Sequence, residues 1–135
     1  MSERAIIIGG GAAGFFAAIA CAEANPEMEV IILEKSKKVL EKVKISGGGR
    51  CNVTHACFEP NELVKHYPRG GKELLGPFNR FMTGDLMEWF GDRGIELKIE
   101  EDNRVFPVSD NSQTIIDCLV EFAERAGVQV KINLP

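Results

Sequence analysis

The sequence predicts an α/β fold organised on a parallel sheet, and three observations point there. A short apolar run, Ala5-Ile6-Ile7-Ile8, ends in glycines, an alanine-rich helical stretch follows at once, and a second apolar run, Glu29-Val30-Ile31-Ile32-Leu33-Glu34, comes next. Uninterrupted β-branched runs of this length are what strands covered on both faces look like, so the first run is expected to be a buried parallel strand. Residues Ala12 to Ala24 favour a helix because alanine loses little entropy there, and Asn25-Pro26 stops it. Two parallel strands need a crossover between them, and the helix supplies one, expected to be right-handed.

Further along, the stretch from Lys35 to Arg50 has no clear period and contains the run Ser46-Gly47-Gly48-Gly49. Short helices are expected over Pro60–Tyr67 and from Lys72 towards Phe81. Thr83 is a candidate N-cap for a third helix, with Asp85 in its first turn, Leu86, Trp89 and Phe90 facing inward, and Gly94 at its left-handed end. Ile95, Leu97 and Ile99 alternate with polar residues, and Asp102-Asn103 offers a turn before Arg104-Val105-Phe106, which reads as an inserted β-hairpin. Ile115, Ile116, Leu119, Val120, Phe122, Ala123 and Ala126 recur at helical spacing, with Gly127 ending that helix. Val128, Val130 and Ile132 alternate into a last strand. The 135 residues are expected to form a single domain.

Composition excludes some functions. With 44% hydrophobic and 27% charged residues the chain can bury a core, and 16 basic against 20 acidic residues give a net charge of −4. No basic stripe advertises nucleic acid or an anionic membrane. The one basic cluster, Lys35, Lys37, Lys38, Lys42 and Lys44, reads as a solvated loop or as a local attraction for a phosphate-bearing ligand. Ala5 to Ala22 carries no charge, but its glycines fall where a signal core or membrane span would prefer leucines. The expected location is the cytoplasm. Four cysteines, Cys21, Cys51, Cys57 and Cys118, follow no disulfide framework, and Cys21 and Cys118 read as small buried hydrophobes. Open sheet edges would allow self-association.

Chemistry enters at Gly9-Gly10-Gly11-Ala12-Ala13-Gly14, which fits G-x-G-x-x-G. Alone the string is weak, but here it follows a strand, opens a helix, and precedes an acid, Glu34, twenty residues after Gly14 at the end of the next strand. That is a Rossmann-like dinucleotide-binding unit, and each part has a task. Gly9 allows the tight turn, Gly11 lets the backbone approach a pyrophosphate, and Gly14 lets helix and strand pack closely. The free amides of Gly11, Ala12 and Ala13, with the positive end of the helix dipole, face the phosphates. Glu34 would accept hydrogen bonds from ribose hydroxyls and repel a 2′-phosphate, and Lys35 follows it. That repulsion argues against NADP, but FAD and NAD share the ADP half, so the fingerprint leaves those two open.

Lys42-Val43-Lys44-Ile45-Ser46-Gly47-Gly48-Gly49-Arg50-Cys51-Asn52-Val53-Thr54 is the most informative stretch. Three successive glycines lose much backbone entropy on folding, and they make sense where the main chain passes close to a flat ligand or a phosphate. The segment resembles the S-G-G-G-R-C-N-x-T hallmark of bacterial FAD-dependent oxidoreductases of the aminoacetone oxidase and BaiN-like (bile-acid reductase) type. Phe81, Asp85, Trp89-Phe90, Gly94-Ile95-Glu96-Leu97-Lys98 and Arg104-Val105-Phe106-Pro107 follow the same family's order. The resemblance implies FAD as cofactor, with NAD(P)H or oxygen exchanging electrons with a small organic substrate. It implies that Glu34 holds the ribose, that Gly48, Gly49, Arg50 and Cys51 approach the flavin, and that Lys42 is a further contact. Leu40 stands where the family often has glycine. Family members are longer, so the chain is expected to be the amino-terminal part of an FAD domain, truncated at the C-terminus. Alone it is expected to hold FAD weakly or not at all and to turn over no substrate.

Other readings of the same residues remain. A nucleotide-binding module, or part of an NAD-dependent dehydrogenase without flavin, would carry the same fingerprint. Cys51 and Cys57 sit roughly where disulfide-reductase flavoproteins carry a dithiol, but the gap differs by one residue. Cys51, His55, Cys57 and His66 match no common zinc spacing, so no metal is expected. His55 reads as a loop histidine, and Glu100-Glu101-Asp102 as a solvated hairpin tip.

Overall fold

The computed structural model describes residues 3–135. Two compact units are distinguishable, one from the residues up to Cys51 together with Asn111–Pro135, the other from Asn52–Asp110.

The first unit carries strands β1 (Arg4–Ile8), β2 (Glu29–Leu33) and β6 (Gln129–Lys131), with helices α1 (Ala12–Ala24), α2 (Glu41–Ile45) and α6 (Gln113–Arg125). Its sheet runs β1-β2-β6 and both pairings are parallel, with Ile6 opposite Ile31 and Ile32 opposite Val130. α1 buries Phe15, Ala18, Ile19 and Ala22, the i, i+3, i+4, i+7 stripe of a helix lying on a core. α6 buries Ile115, Cys118, Leu119 and Ala123 and packs against α1. β2 is central, and Val30, Ile31 and Ile32 are all buried, as expected of a strand covered on both faces.

β1 departs from the expectation. It is parallel, but it is the edge of the described sheet, and Ile6 and Ile8 are 46% and 79% exposed. An apolar run cannot by itself tell an edge strand from a central one, because strand neighbours come from distant sequence. β6 is exposed along its whole length. α1 ends at Asn25 and α6 just before Gly127, whose φ of +80° is the left-handed conformation expected there.

The second unit holds β3 (Thr54–His55), α3 (Pro60–Leu63), a 3₁₀ turn (Val64–His66), α4 (Gly71–Arg80), α5 (Thr83–Asp92), β4 (Leu97–Ile99) and β5 (Arg104–Pro107). The hairpin β4–β5 forms as expected, turning through Asn103 at φ +69°. β3 adds a third antiparallel strand that the sequence did not announce, since two residues show no period. Val105 and Phe106 are fully buried.

The start of α5 is shifted by one residue. Met82 is the N-cap, its amide donating to Asp85 Oδ2 at 2.7 Å, while Thr83 is the first helical residue. Thr83 is buried, and its hydroxyl has no hydrogen-bond partner. Phe90 is buried as expected and Trp89 is half-buried, with the Arg93 guanidinium 3.6 Å above its ring. Among the described residues no helix is long and apolar enough to cross a membrane.

Candidate dinucleotide site

The glycine turn between β1 and α1 has the geometry its spacing implies. Gly9 adopts φ +101°, a conformation that side-chain-bearing residues rarely take, and its amide donates to Leu33 O at 2.8 Å, tying the turn to the end of β2. Gly11 is exposed, and a β-carbon there would meet nothing within 4 Å. A β-carbon on Gly14 would collide with the carbonyl oxygen of Gly9, so helix and turn approach as closely as glycine permits.

α1 opens at Ala12 with Gly11 as N-cap, no side chain caps its amides, and no acid lies in its first turn. Gly11, Ala12 and Ala13 are all exposed. Uncapped amides at the start of a 13-residue helix form a positive concavity suited to an anion.

Glu34 faces that turn. Its Oε1 accepts from the Gly10 amide at 2.9 Å and its Oε2 from the Ser36 amide at 2.7 Å. Hydrogen bonds from the Ser36 and Gly10 backbone, with help from the Ser36 side chain and Lys35, hold the carboxyl below its ordinary value. Each carboxylate oxygen accepts more than one hydrogen bond, so capacity for a diol remains. Lys35, next along, is exposed.

Gly10 was not singled out by the fingerprint, where it is an unspecified position. A β-carbon there would lie 2.8 Å from Val39 Cγ1 and 3.4 Å from Glu34 Oε1, and the Gly10 carbonyl accepts from the Leu40 amide at 2.8 Å. Its place in an unbroken glycine run was the available signal. Leu40 keeps the turn expected of a glycine: its φ is +58° while its side chain is 2% exposed.

The second glycine run, Ser46–Gly49, is a left-handed turn in which Gly47, Gly48 and Gly49 have φ of +57°, +68° and +91°. β-carbons on Gly48 or Gly49 would meet nothing, so the glycines serve the backbone path and keep its surface bare. The turn is anchored from α6: the Ser112 amide donates to Gly49 O and its hydroxyl to Lys44 O, each at 2.8 Å. Arg50 is half-buried beside it. Cys51 follows at φ +64°, buried, and burial pushes its thiol up despite a hydrogen bond with Ser46. Lys42 is on α2 and lines a groove with α6 and β6.

All four cysteines are free; Cys118 is buried as expected, whereas Cys21 is half-buried with its sulfur 3.5 Å from that of Met28. His55 lies in β3 rather than in a loop, and its ring stacks obliquely on His66, centroids 5.0 Å apart. No group of three or more metal-ligating side chains occurs among the described residues. Asp102 at the hairpin tip is engaged by Arg104.

Comparison with known proteins agrees with this geometry. The family model described as the HI0933-like protein Rossmann domain matches residues 3–135. The chain is 33% identical over 129 residues to the ribosomal RNA dihydrouridine synthase of Escherichia coli, covering 96% of this chain and 31% of that protein. It is 30% identical over 128 residues to the 3-dehydro-bile acid delta(4,6)-reductase of Clostridium scindens, covering 95% and 30%. Among solved structures, Thermovibrio ammonificans THI4 superposes with a TM-score of 0.58 at 15% identity, over 97% of this chain and 38% of that one. The open form of a flavocytochrome c3 fumarate reductase gives 0.58 at 19% identity, over 98% and 26%. These structural likenesses concern the fold, and the chain spans under a third of either sequence relative.

Proposed function

Because the chain belongs to the HI0933-like Rossmann-domain family, we propose that it is the FAD-holding part of a flavin-dependent reductase that saturates a carbon–carbon double bond. One observation carries the reading. The Glu34 carboxylate, fixed by the Gly10 and Ser36 amides, stands beside the uncapped, exposed start of α1. The same few residues thus offer amides for a diphosphate and a carboxylate for a ribose diol.

In this reading Gly9, Gly11, Ala12, Ala13 and Gly14 shape the diphosphate cradle, and Glu34 with Lys35 receives the adenosine sugar. Gly48, Gly49, Arg50 and Cys51 form the bare backbone surface on the flavin side, with Lys42 as a further contact. When bound, FAD would supply two-electron transfer between a reduced donor such as NAD(P)H and an organic acceptor. Both sequence relatives carry names that describe saturating a double bond, which supports a substrate of that kind. The protein's own contribution here is binding and orientation, and burial pushes the Cys51 thiol up from its ordinary value.

A competition experiment tests this. FAD fluorescence is followed as the chain is added, with ADP or riboflavin as competitor. Weak saturable binding that ADP displaces and riboflavin does not is expected, because the ordered geometry serves the ADP half. Saturable binding that ADP leaves unchanged, or displacement by riboflavin alone, would overturn it.

A further inference from the structure

Beside the dinucleotide turn, sharing Lys42 with the cofactor site proposed above but none of its glycines or Glu34, the first unit carries a cavity of about 780 Å³ between the segment before and through α2, the start of α6, and β6. We propose that this groove binds an amphipathic organic anion, a carboxylate or sulfate carried on a hydrocarbon body.

Charge is the first reason. Lys37, Lys38, Lys42 and Lys44 all line the groove against a single carboxylate, Glu41, in a chain whose net charge is −4. Among the described residues none of the four ammonium groups is held in an ion pair. Four like charges brought together without partners attract an anion and repel one another until one arrives.

The second reason is the apolar floor. Ile45, Ile116, Val130 and Ile132 line the same groove, and Ile45, Val130 and Ile132 remain 74%, 40% and 42% exposed. Inorganic phosphate would leave that surface wet, and a neutral hydrocarbon would desolvate the lysines without compensation. A molecule with an apolar body and one anionic head satisfies both parts. The volume lies within the roughly 300–1,000 Å³ of small-molecule sites. No aromatic side chain lines the groove, so it lacks the stacking platform that single-stranded nucleic acid uses.

The experiment is a titration of the isotopically labelled chain with decanoate, read by amide chemical shifts, with three parallel arms: sodium sulfate, octyl glucoside and a single-stranded RNA oligonucleotide. Saturable shifts at Ile45, Ile116, Val130 and Ile132 are expected with decanoate and not in the other arms. The doubly substituted Lys38→Gln/Lys44→Gln chain should bind decanoate about tenfold more weakly, two exposed charges each contributing a few-fold. Ile45→Ser, at a site too exposed to threaten folding, should weaken it as well. Equal shifts with sulfate or octyl glucoside, preferential shifts with RNA, shifts centred on Gly9–Gly14, or unchanged affinity in both variants would each overturn the proposal.

Discussion

The carbonyl oxygen of Gly9 occupies the space that a β-carbon on Gly14 would need. Both atoms belong to backbone held by the start of α1 and the end of β1, so neither can rotate away. Gly14→Ala should therefore destabilise the chain by about 3 kcal/mol or more, the upper range for forced overpacking. By contrast Gly11→Ala, entering open space, should leave stability within about 1 kcal/mol and weaken nucleotide binding instead. Paired chemical denaturation curves decide this; equal midpoints for the two variants would show that the close approach is not structural.

Glu34 titrates below its ordinary value of 4.5 because the Ser36 and Gly10 amides favour its charged form. As pH falls, the unfolded chain therefore takes up this proton before the folded one does. The stabilisation is complete above the ordinary carboxylate range and is lost as pH drops through the lowered folded value. Glu34→Gln should show a shallower loss of melting temperature than the parent chain as pH falls below the ordinary value of 4.5. It should also bind ADP on the order of tenfold to a hundredfold less tightly, the usual effect of losing a charged hydrogen-bond acceptor. A parallel acid limb for both chains would mean the two amide bonds contribute nothing.

Leu40 combines a left-handed backbone with a buried side chain. A non-glycine residue in that conformation loses roughly 1–2 kcal/mol, while removing a buried leucine side chain loses about 2–5 kcal/mol. Burial outweighs strain, so both Leu40→Ala and Leu40→Gly should be less stable than the parent. Glycine should nevertheless be the milder of the two by about 1 kcal/mol, the reverse of their order in an ordinary helix. Thermal melts of the pair check the order.

Thr83 and Asp85 separate two accounts of the start of α5. With Met82 as N-cap, Asp85→Ala removes the acceptor for its amide and should lose about 1 kcal/mol. Thr83→Val replaces a buried, unpartnered hydroxyl with a methyl and should be neutral or stabilising by up to about 1 kcal/mol. A loss at Thr83→Val as large as at Asp85→Ala would restore Thr83 as the cap.

Cys51 is buried and its thiol is pushed up by desolvation, whereas Cys57 is half-exposed. Iodoacetamide on the folded chain should label Cys57 and spare Cys51, and the denatured chain should label both. Rapid labelling of Cys51 would mean that its environment is open.

Much of this was legible in the sequence because it is local. The turn at Gly9, the helix from Ala12 to Ala24, the hairpin through Asn103 and the stop at Gly127 follow from residues within a few positions of one another. Backbone preferences and helical or strand periodicity act over that range. The spacing from Gly14 to Glu34 was likewise readable, because a strand–helix–strand unit returns its second strand to a set place beside the first.

Tertiary structure alone decided the rest. Only packing placed β1 at an edge with Ile8 exposed, joined the two-residue β3 to β5, moved the cap from Thr83 to Met82, and brought the Ser112 hydroxyl to Lys44 O across 68 positions. It also gathered the lysines of α2 and the apolar side chains of α6 and β6 around one groove. Partners that distant leave no periodic trace in sequence. Their pairing is set by which surfaces remain to be covered once the local elements have formed.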